Sequence, residues 1–346
     1  MKWIFLLFTA CHTLLFSELI NTFYGPVQVE EPVLLELIHS PAMQRLKHIH
    51  QYGVAYYTTH TEPYNRYDHS LGVFVVLRIK GASLEEQIAG LLHDVSHTVF
   101  SHVGDWIFGR ENQDKDYQTL IYNSYLQQAG IEAILNKHGF TVDQVSPSRK
   151  GFLALEQPLP NLCADRIDYN IQGAFYQNFI THHEALEILD DLQFVDNAWI
   201  STRPDLMEKL VRYSIFMTED CWGSVPDYLA SRWLADALLR AVDIGIMTRH
   251  TIHFGTDDPV WNQLLASDDP HIQNCMQKVL NTEAFHRLVN HTEATLIVKS
   301  KFRGIDPLIN HHGHPVRLTS LNPDLFQDYT AVKEKMAKGW AIKLIE

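Results

Sequence analysis

Apolar residues recur along most of this chain at intervals of three and four, and strand-like alternation is confined to short stretches near the two ends. Ile20 to Gln28 reads as extended, with Tyr24-Gly25-Pro26 supplying a turn. Pro32 to Ile38 predicts a short helix, and Pro41 opens another through Arg45, Leu46 and Ile49 that stops near Gly53. Tyr67 to Ile79 (YDHSLGVFVVLRI) predicts a helix carrying His69 in its first turn. Ser83 is the expected N-cap of the next helix, with Glu86 placed to complete a capping box. That helix runs through Ile88, Leu91 and Leu92 and delivers His93-Asp94 at its end, while Gly90 marks close helix packing. Further helices are expected over Tyr117–Leu135, Leu162–Ile171 (with Asp165), Ala185–Leu192, Leu206–Thr218 and Val225–Ala241. Thr295 to Phe302 is β-rich, and His311-His312-Gly313-His314 forms a turn. The predicted fold class is therefore mainly α, with a small mixed α/β C-terminal part.

With 346 residues, 46% hydrophobic and 20% charged, the chain can bury a substantial core. A net charge of −13 argues against nonspecific nucleic-acid binding, which needs a broad basic surface. A small anionic substrate stays open, because a metal and a few arginines can reverse the potential inside one cleft. The 4 cysteines are widely spaced and form no CxxC pair, so neither a disulfide framework nor a zinc ribbon is expected. Residues 1–19 begin with Lys2 and an apolar stretch, Trp3 to Ala10, too short to span a membrane. This order fits a signal peptide cleaved near Ser17, the alternative being an extra N-terminal helix. Export is the favoured location on that reading, and the cytoplasm the alternative.

The densest chemistry lies in Arg66-Tyr67-Asp68-His69, then His93-Asp94-Val95-Ser96-His97, His102 and Asp105. Imidazoles and carboxylates together suit a divalent ion such as Mn, Fe, Co or Mg. His93 and Asp94 are adjacent and diverge by about 100° on a helix, so both reach one ion only at a helix end. Composition and spacing leave two readings open, a metal site or a histidine-rich helix and turn. His311, His312 and His314 lack a nearby carboxylate and read as a solvated turn. Asp68 and Asp168 are each weighed as supports of a neighbouring ligand or as caps.

The order His69, His93-Asp94, Asp165 resembles the H…HD…D signature of the HD-domain phosphohydrolases. Gln44-Arg45-Leu46 with Gln51-Tyr52-Gly53, NRYDHSLGV, QIAGLLHD, FSH, DRIDY and KFRGIDPLI are similar to the deoxynucleoside-triphosphate triphosphohydrolase branch. The resemblance implies an HD helical bundle over 20–195 and a helical extension with a small β-containing region over 196–346. It implies one divalent ion held by His69, His93, Asp94 and Asp165. His97 and His102 would face the phosphate under attack, with Asp105 orienting one of them. Arg66 and Arg166 would bind phosphate oxygens, and Gln51 and Tyr169 would contact the sugar. The implied partner is a small phosphorylated substrate, a nucleotide above all, and self-association is a family expectation.

Two departures stand against this pattern. Asp116-Tyr117 occupies the place of a further catalytic histidine and its glutamate, and Gly173 replaces an aspartate that reads the sugar 3′-hydroxyl. The segment that closes the sugar pocket is not recognisable over Thr218–Arg232. Metal-dependent hydrolysis of a phosphoester is the leading expectation, and a catalytically silent nucleotide-binding or regulatory protein is the alternative. A cyclic-dinucleotide phosphodiesterase is disfavoured, since no GYP-type motif follows His102.

Overall fold

A computed structural model describes residues 17–59, 64–109 and 116–345. The N-terminal apolar stretch read as a signal peptide or extra helix lies mostly outside the described residues. An antiparallel hairpin, Glu18–Thr22 with Gly25–Val29, opens the described chain. Helices dominate from there on, and no helix among the described residues is long and apolar enough to cross a membrane.

Two large apolar cores form. One gathers the helices between Pro32 and Lys137 with Val225–Asp243 and Pro270–Leu280. The other packs Arg66–Ile79 and Ala164–Tyr176 against Pro204–Phe216 and Pro323–Lys338. Both cores take side chains from each side of residue 195. A four-stranded sheet pairs Gln193–Val195, Ala198–Ser201, Leu308–His311 and His314–Arg317 in that spatial order. Trp340–Leu344 forms the middle of a three-stranded sheet between His286–Leu288 and Leu296–Val298.

Three helices set up the site, and each has a local reason to start or cross where it does. Asn65 caps Arg66–Ile79, accepting from the Asp68 amide at 2.9 Å while its own amide donates to the Asp68 carboxylate at 2.8 Å. Asp68 thus braces the capping residue Asn65. Ser83 Oγ accepts from the Glu86 amide at 3.2 Å and starts Leu84–Leu92. The expected capping box is only half made, because Glu86 turns away to accept from the amides of Ala154 and Leu155, both at 3.0 Å. Gly90 admits the close crossing its sequence context suggested: a Cβ there would stand 2.3 Å from Leu77. Gly72 does the same where Arg66–Ile79 crosses Ala164–Tyr176, with Asp168 in the space a Cβ would need.

Other boundaries differ from expectation. The helix expected over Tyr117–Leu135 is two, Tyr117–Gln128 and Ile131–Lys137, broken at Gly130 with φ +76°. Glycine adopts that left-handed backbone without a side-chain penalty. The helix opened by Pro41 ends at Arg45 and tightens into a 3-10 turn, Leu46–His48. His312 (φ 53°) and Gly313 (φ 85°) form the expected turn, which joins two antiparallel strands.

Candidate metal centre and its cavity

His69 projects from the first turn of Arg66–Ile79, Asp165 from the first turn of Ala164–Tyr176, and His93 is the C-cap of Leu84–Leu92. After Leu92 the chain tightens into turns, Val95 N donating to the Leu92 carbonyl at 3.0 Å and His97 N to the Asp94 carbonyl at 3.1 Å, and His93 and Asp94 both reach the same point. His69 Nε2 lies 3.1 Å from His93 Nε2 and 3.1 Å from Asp165 Oδ1. Asp94 closes the group, with Oδ1 3.4 Å from His93 Nε2 and Oδ2 3.7 Å from His69 Nε2.

The hydrogen bonds on the far side of each ring fix which nitrogen faces this point. His93 Nδ1 donates to the Gly90 carbonyl at 2.7 Å, and His69 Nδ1 donates to Asp168 Oδ2 at 2.7 Å. In the neutral tautomer this leaves both Nε2 atoms with bare lone pairs, facing one another beside two carboxylates. Such a group is repulsive unless a cation sits within it. Ligands about 2.1 Å from an octahedral ion stand about 3.0 Å apart, close to the spacing found here. The residues present fit a divalent ion. Against the effect of burial, hydrogen bonds to Asp165 and Asp168 push His69 up to about 10. Burial opposes it as well at Asp94, yet the Arg66 charge holds that carboxyl well below its usual range.

Around this centre lies a cavity of about 1560 Å³, lined by all of the sequence-predicted site residues. Their roles in it differ. His97 is buried, with Nε2 3.3 Å from Asp94 Oδ1; burial first, then the Arg66 charge, brings its pKa down to about 4. His102 stands edge-on to His97, ring centres 5.0 Å apart, and is half exposed to the cavity. Its Nδ1 lies 3.2 Å from Asp105 Oδ2, and Asp105 is fixed in turn by the Tyr117 amide at 2.6 Å. Against the effect of burial, His102 lowers the Asp105 carboxyl.

Both arginines expected on phosphate are committed to the protein. Arg66 pairs with Asp94 through Nη1 and donates from Nε to Ser101 Oγ at 2.8 Å. Arg166 donates to the carbonyls of Gln157 (2.5 Å) and Asn161 (3.0 Å) and to Glu156 Oε1 (3.0 Å). Gln51 presents a buried Oε1 with no partner among the described residues. Tyr169 lines the wall, its ring centre 6.4 Å from that of His69 and 6.0 Å from that of Trp222. At Gly173 the volume of the missing aspartate is filled: a Cβ would meet Tyr213 Oη at 1.9 Å and Tyr52 Oη at 3.1 Å.

Asp168, open in the sequence between a ligand's support and a cap, is fully buried as the orienting acceptor behind His69. Trp222, Asp227, Lys299, Lys301 and Arg303, which the sequence does not place in the site, also line the cavity. The only signal that bore on the last of these was the KFRG stretch itself, more than 130 residues beyond Asp165.

Comparison with known proteins agrees with this geometry. The HD domain family model matches residues 66–170. The uncharacterized protein YdhJ of Bacillus subtilis is 32% identical over 95% of this chain and 99% of its own length. The metal-dependent phosphohydrolase cns2 of Cordyceps militaris is 29% identical over 75% of this chain and 76% of its own. The deoxynucleoside triphosphate triphosphohydrolase of Danio rerio is 30% identical over 35% of this chain, which covers 23% of that enzyme. A crystal structure of a hypothetical protein from Aquifex aeolicus shares the fold, with a TM-score of 0.65 over 93% of this chain and 100% of its own at 17% identity. With His69, the His93-Asp94 pair and Asp165 brought to one point inside the matched segment, and with a full-length likeness, one assignment is left: the chain belongs to the HD-domain superfamily of metal-dependent phosphohydrolases.

Proposed function

We propose that the chain hydrolyses a phosphoester of a nucleotide, using one divalent ion held by His69, His93, Asp94 and Asp165. The observation that carries this reading is the pair of Nε2 atoms 3.1 Å apart beside two carboxylates, each ring fixed from behind by an acceptor at its Nδ1. When bound, the ion supplies positive charge to the phosphoryl group and lowers the pKa of a water. The chain's own residues do the rest. Asp94, steadied by Arg66, keeps its charge at the centre. His102, oriented by Asp105 through Nδ1, turns Nε2 toward a phosphate or leaving-group oxygen, which it serves as acceptor when neutral and as proton donor when it is an imidazolium. His97 stays neutral in its buried position and donates a hydrogen bond rather than a charge. Tyr169 and Trp222 form an aromatic wall on which a nucleoside packs, and the unpartnered Gln51 Oε1 offers an acceptor to its sugar.

The test is phosphate release by purified protein with Mn, Mg, Fe or Co over a panel of nucleotides and phosphomonoesters. Asp94→Ala should lower turnover by more than the about 10- to 100-fold that loss of a supporting partner costs. Its bound metal should fall in parallel. No turnover by the wild type, together with equal metal content in the variant, sinks the proposal. One observation favours a second reading, nucleotide binding without turnover: the family's further histidine is absent, and Asp116 stands at the cavity edge instead. Thermal stabilisation by nucleotide without phosphate release would select it.

A further inference from the structure

We propose that His253 is a positioning residue for His102, acting through Tyr117 and Asp105. The proposal rests on the phosphohydrolase reading, in which His102 faces the reacting phosphate, and deepens it. The Asp105 carboxylate accepts from His102 Nδ1 on one oxygen, at 3.2 Å, and from the Tyr117 amide on the other, at 2.6 Å. That amide is the first of the helix Tyr117–Gln128, one of the donors that a helix start leaves without an intrahelical partner. Asp116, at the cap position, makes no side-chain capping bond. The orientation of Asp105, and with it that of His102, therefore depends on where this helix begins.

The Tyr117 side chain holds that start in place. Its ring stacks on Phe108, ring centres 4.7 Å apart, and Phe108 stacks in turn on His253 at 5.0 Å. The Arg249 guanidinium stands 5.7 Å from the Phe108 ring centre. Phe108 ends the short helix Val103–Phe108 that carries Asp105, so the stack grips both sides of the Asp105–Tyr117 bond. A hydrogen bond closes it, Tyr117 Oη donating to His253 Nε2 at 2.7 Å. The direction follows from the far side of the ring, where His253 Nδ1 donates to the Arg249 carbonyl at 2.8 Å and leaves Nε2 bare in the neutral imidazole. Burial lowers the His253 pKa, and the charges of Arg249 and Arg45 add to this against the pull of the Arg249 carbonyl. The helix Arg249–Phe254 is itself tied to the loop that bears His97 and His102. The Val99 amide donates to the Ile252 carbonyl at 3.0 Å, and Arg45 bridges the carbonyls of Gly255 (2.8 Å) and His97 (2.9 Å). His253 thus sets Tyr117 from a support that is fixed to the same loop as the histidine it serves.

The test measures kcat, KM and metal content for His253→Leu, Tyr117→Phe and the double variant, on the substrate that the wild type turns over fastest. Each single change should lower kcat about tenfold, the lower end of what a lost supporting partner costs, with KM and metal content unchanged. Both remove the same hydrogen bond, so the double variant should be no worse than either single one. His253→Gln, whose Oε1 can stand at the place of Nε2, should recover most of the loss. A second readout needs no turnover. Asp105 holds His102 in the Nδ1–H tautomer, the form that a free imidazole side chain favours less, and ring 15N shifts of the Mg-loaded protein at about pH 9, where an ordinary imidazole is neutral, report it directly. His253→Leu should shift His102 toward the Nε2–H form at unchanged Tm. That shift, in a protein that hydrolyses nothing, supports the role of His253 and removes the hydrolase reading. Losses that multiply in the double variant, or a His102 tautomer that is the same in His253→Leu as in wild type, overturn the assignment.

Discussion

At the scale of single residues, Asp168 shows how much support one ligand needs. Its carboxylate accepts from His69 Nδ1 at 2.7 Å, Tyr24 Oη at 2.8 Å, Gln172 Nε2 at 2.9 Å and Tyr64 Oη at 3.2 Å, all in a fully buried setting. It touches no substrate, yet it decides which His69 nitrogen carries the proton. Asp168→Asn keeps the shape and removes the charge that fixes this tautomer. Metal affinity should fall about 10- to 100-fold. Metal titration of the purified variant checks this, and an unchanged affinity would mean that His69 is oriented by packing alone. The candidate ligands came from the order His69, His93-Asp94, Asp165 and its resemblance to a family signature; local patterning supplied only their places at a helix end or first turn. The arginines were not. A guanidinium reaches across the fold to carbonyls that local sequence does not identify, so Arg166 holds the 156–161 loop where a phosphate contact was expected.

Among elements, the decisive contact is the crossing of Arg66–Ile79 over Ala164–Tyr176, since it sets the distance from His69 to Asp165. Gly72 sits at that crossing, and a Cβ there would stand 1.8 Å from Asp168 Oδ1 and 2.7 Å from Gln172 Nε2. Asp168 cannot yield cheaply, being held by four donors. Gly72→Ala should therefore destabilise the fold by about 1–3 kcal/mol, the usual range for overpacking, and weaken metal binding as well. Urea unfolding paired with metal content checks both, and loss of stability with full metal content would separate the crossing from the site. The helices on either side of this crossing were readable from their apolar spacing and from caps such as Ser83. Less readable was where a helix stops when tertiary partners compete for the same groups. Glu86 left its expected capping box for the amides of Ala154 and Leu155, which are buried and need an acceptor more than an exposed helix start does. The pairing of Ala198–Ser201 with Leu308–His311 was likewise invisible, since more than 100 residues separate two strands of only four residues each.

Across the whole molecule, the late helices do more than cover the early ones. Asp257 begins the helix Asp257–Leu265 and is fully buried, and its carboxylate accepts from the Phe100 amide at 2.7 Å and the His50 amide at 2.9 Å. Those amides lie next to Gln51 and two residues before His102, so one distant side chain ties together two walls of the cavity. Burial pushes the Asp257 carboxyl up to about 7, although the two amides and the charges of Arg45 and Arg66 pull the other way. An acid whose pKa rises on folding favours the fold while it is protonated. Its contribution is full below the unfolded pKa of about 3.9 and declines as pH climbs toward the folded value. The wild type should thus lose stability between about pH 4 and pH 7, by on the order of a few kcal/mol at most. Asp257→Asn has no proton to lose and retains one acceptor oxygen for the two amides. The variant should be less stable than wild type at pH 5, and the gap should narrow by pH 8. Urea midpoints at the two pH values measure that gap directly, and groups other than Asp257 contribute almost equally to both proteins and cancel. A gap that is constant or widens with pH would show that the two amides, rather than burial, control this carboxyl, and that it holds the cavity walls as an anion throughout.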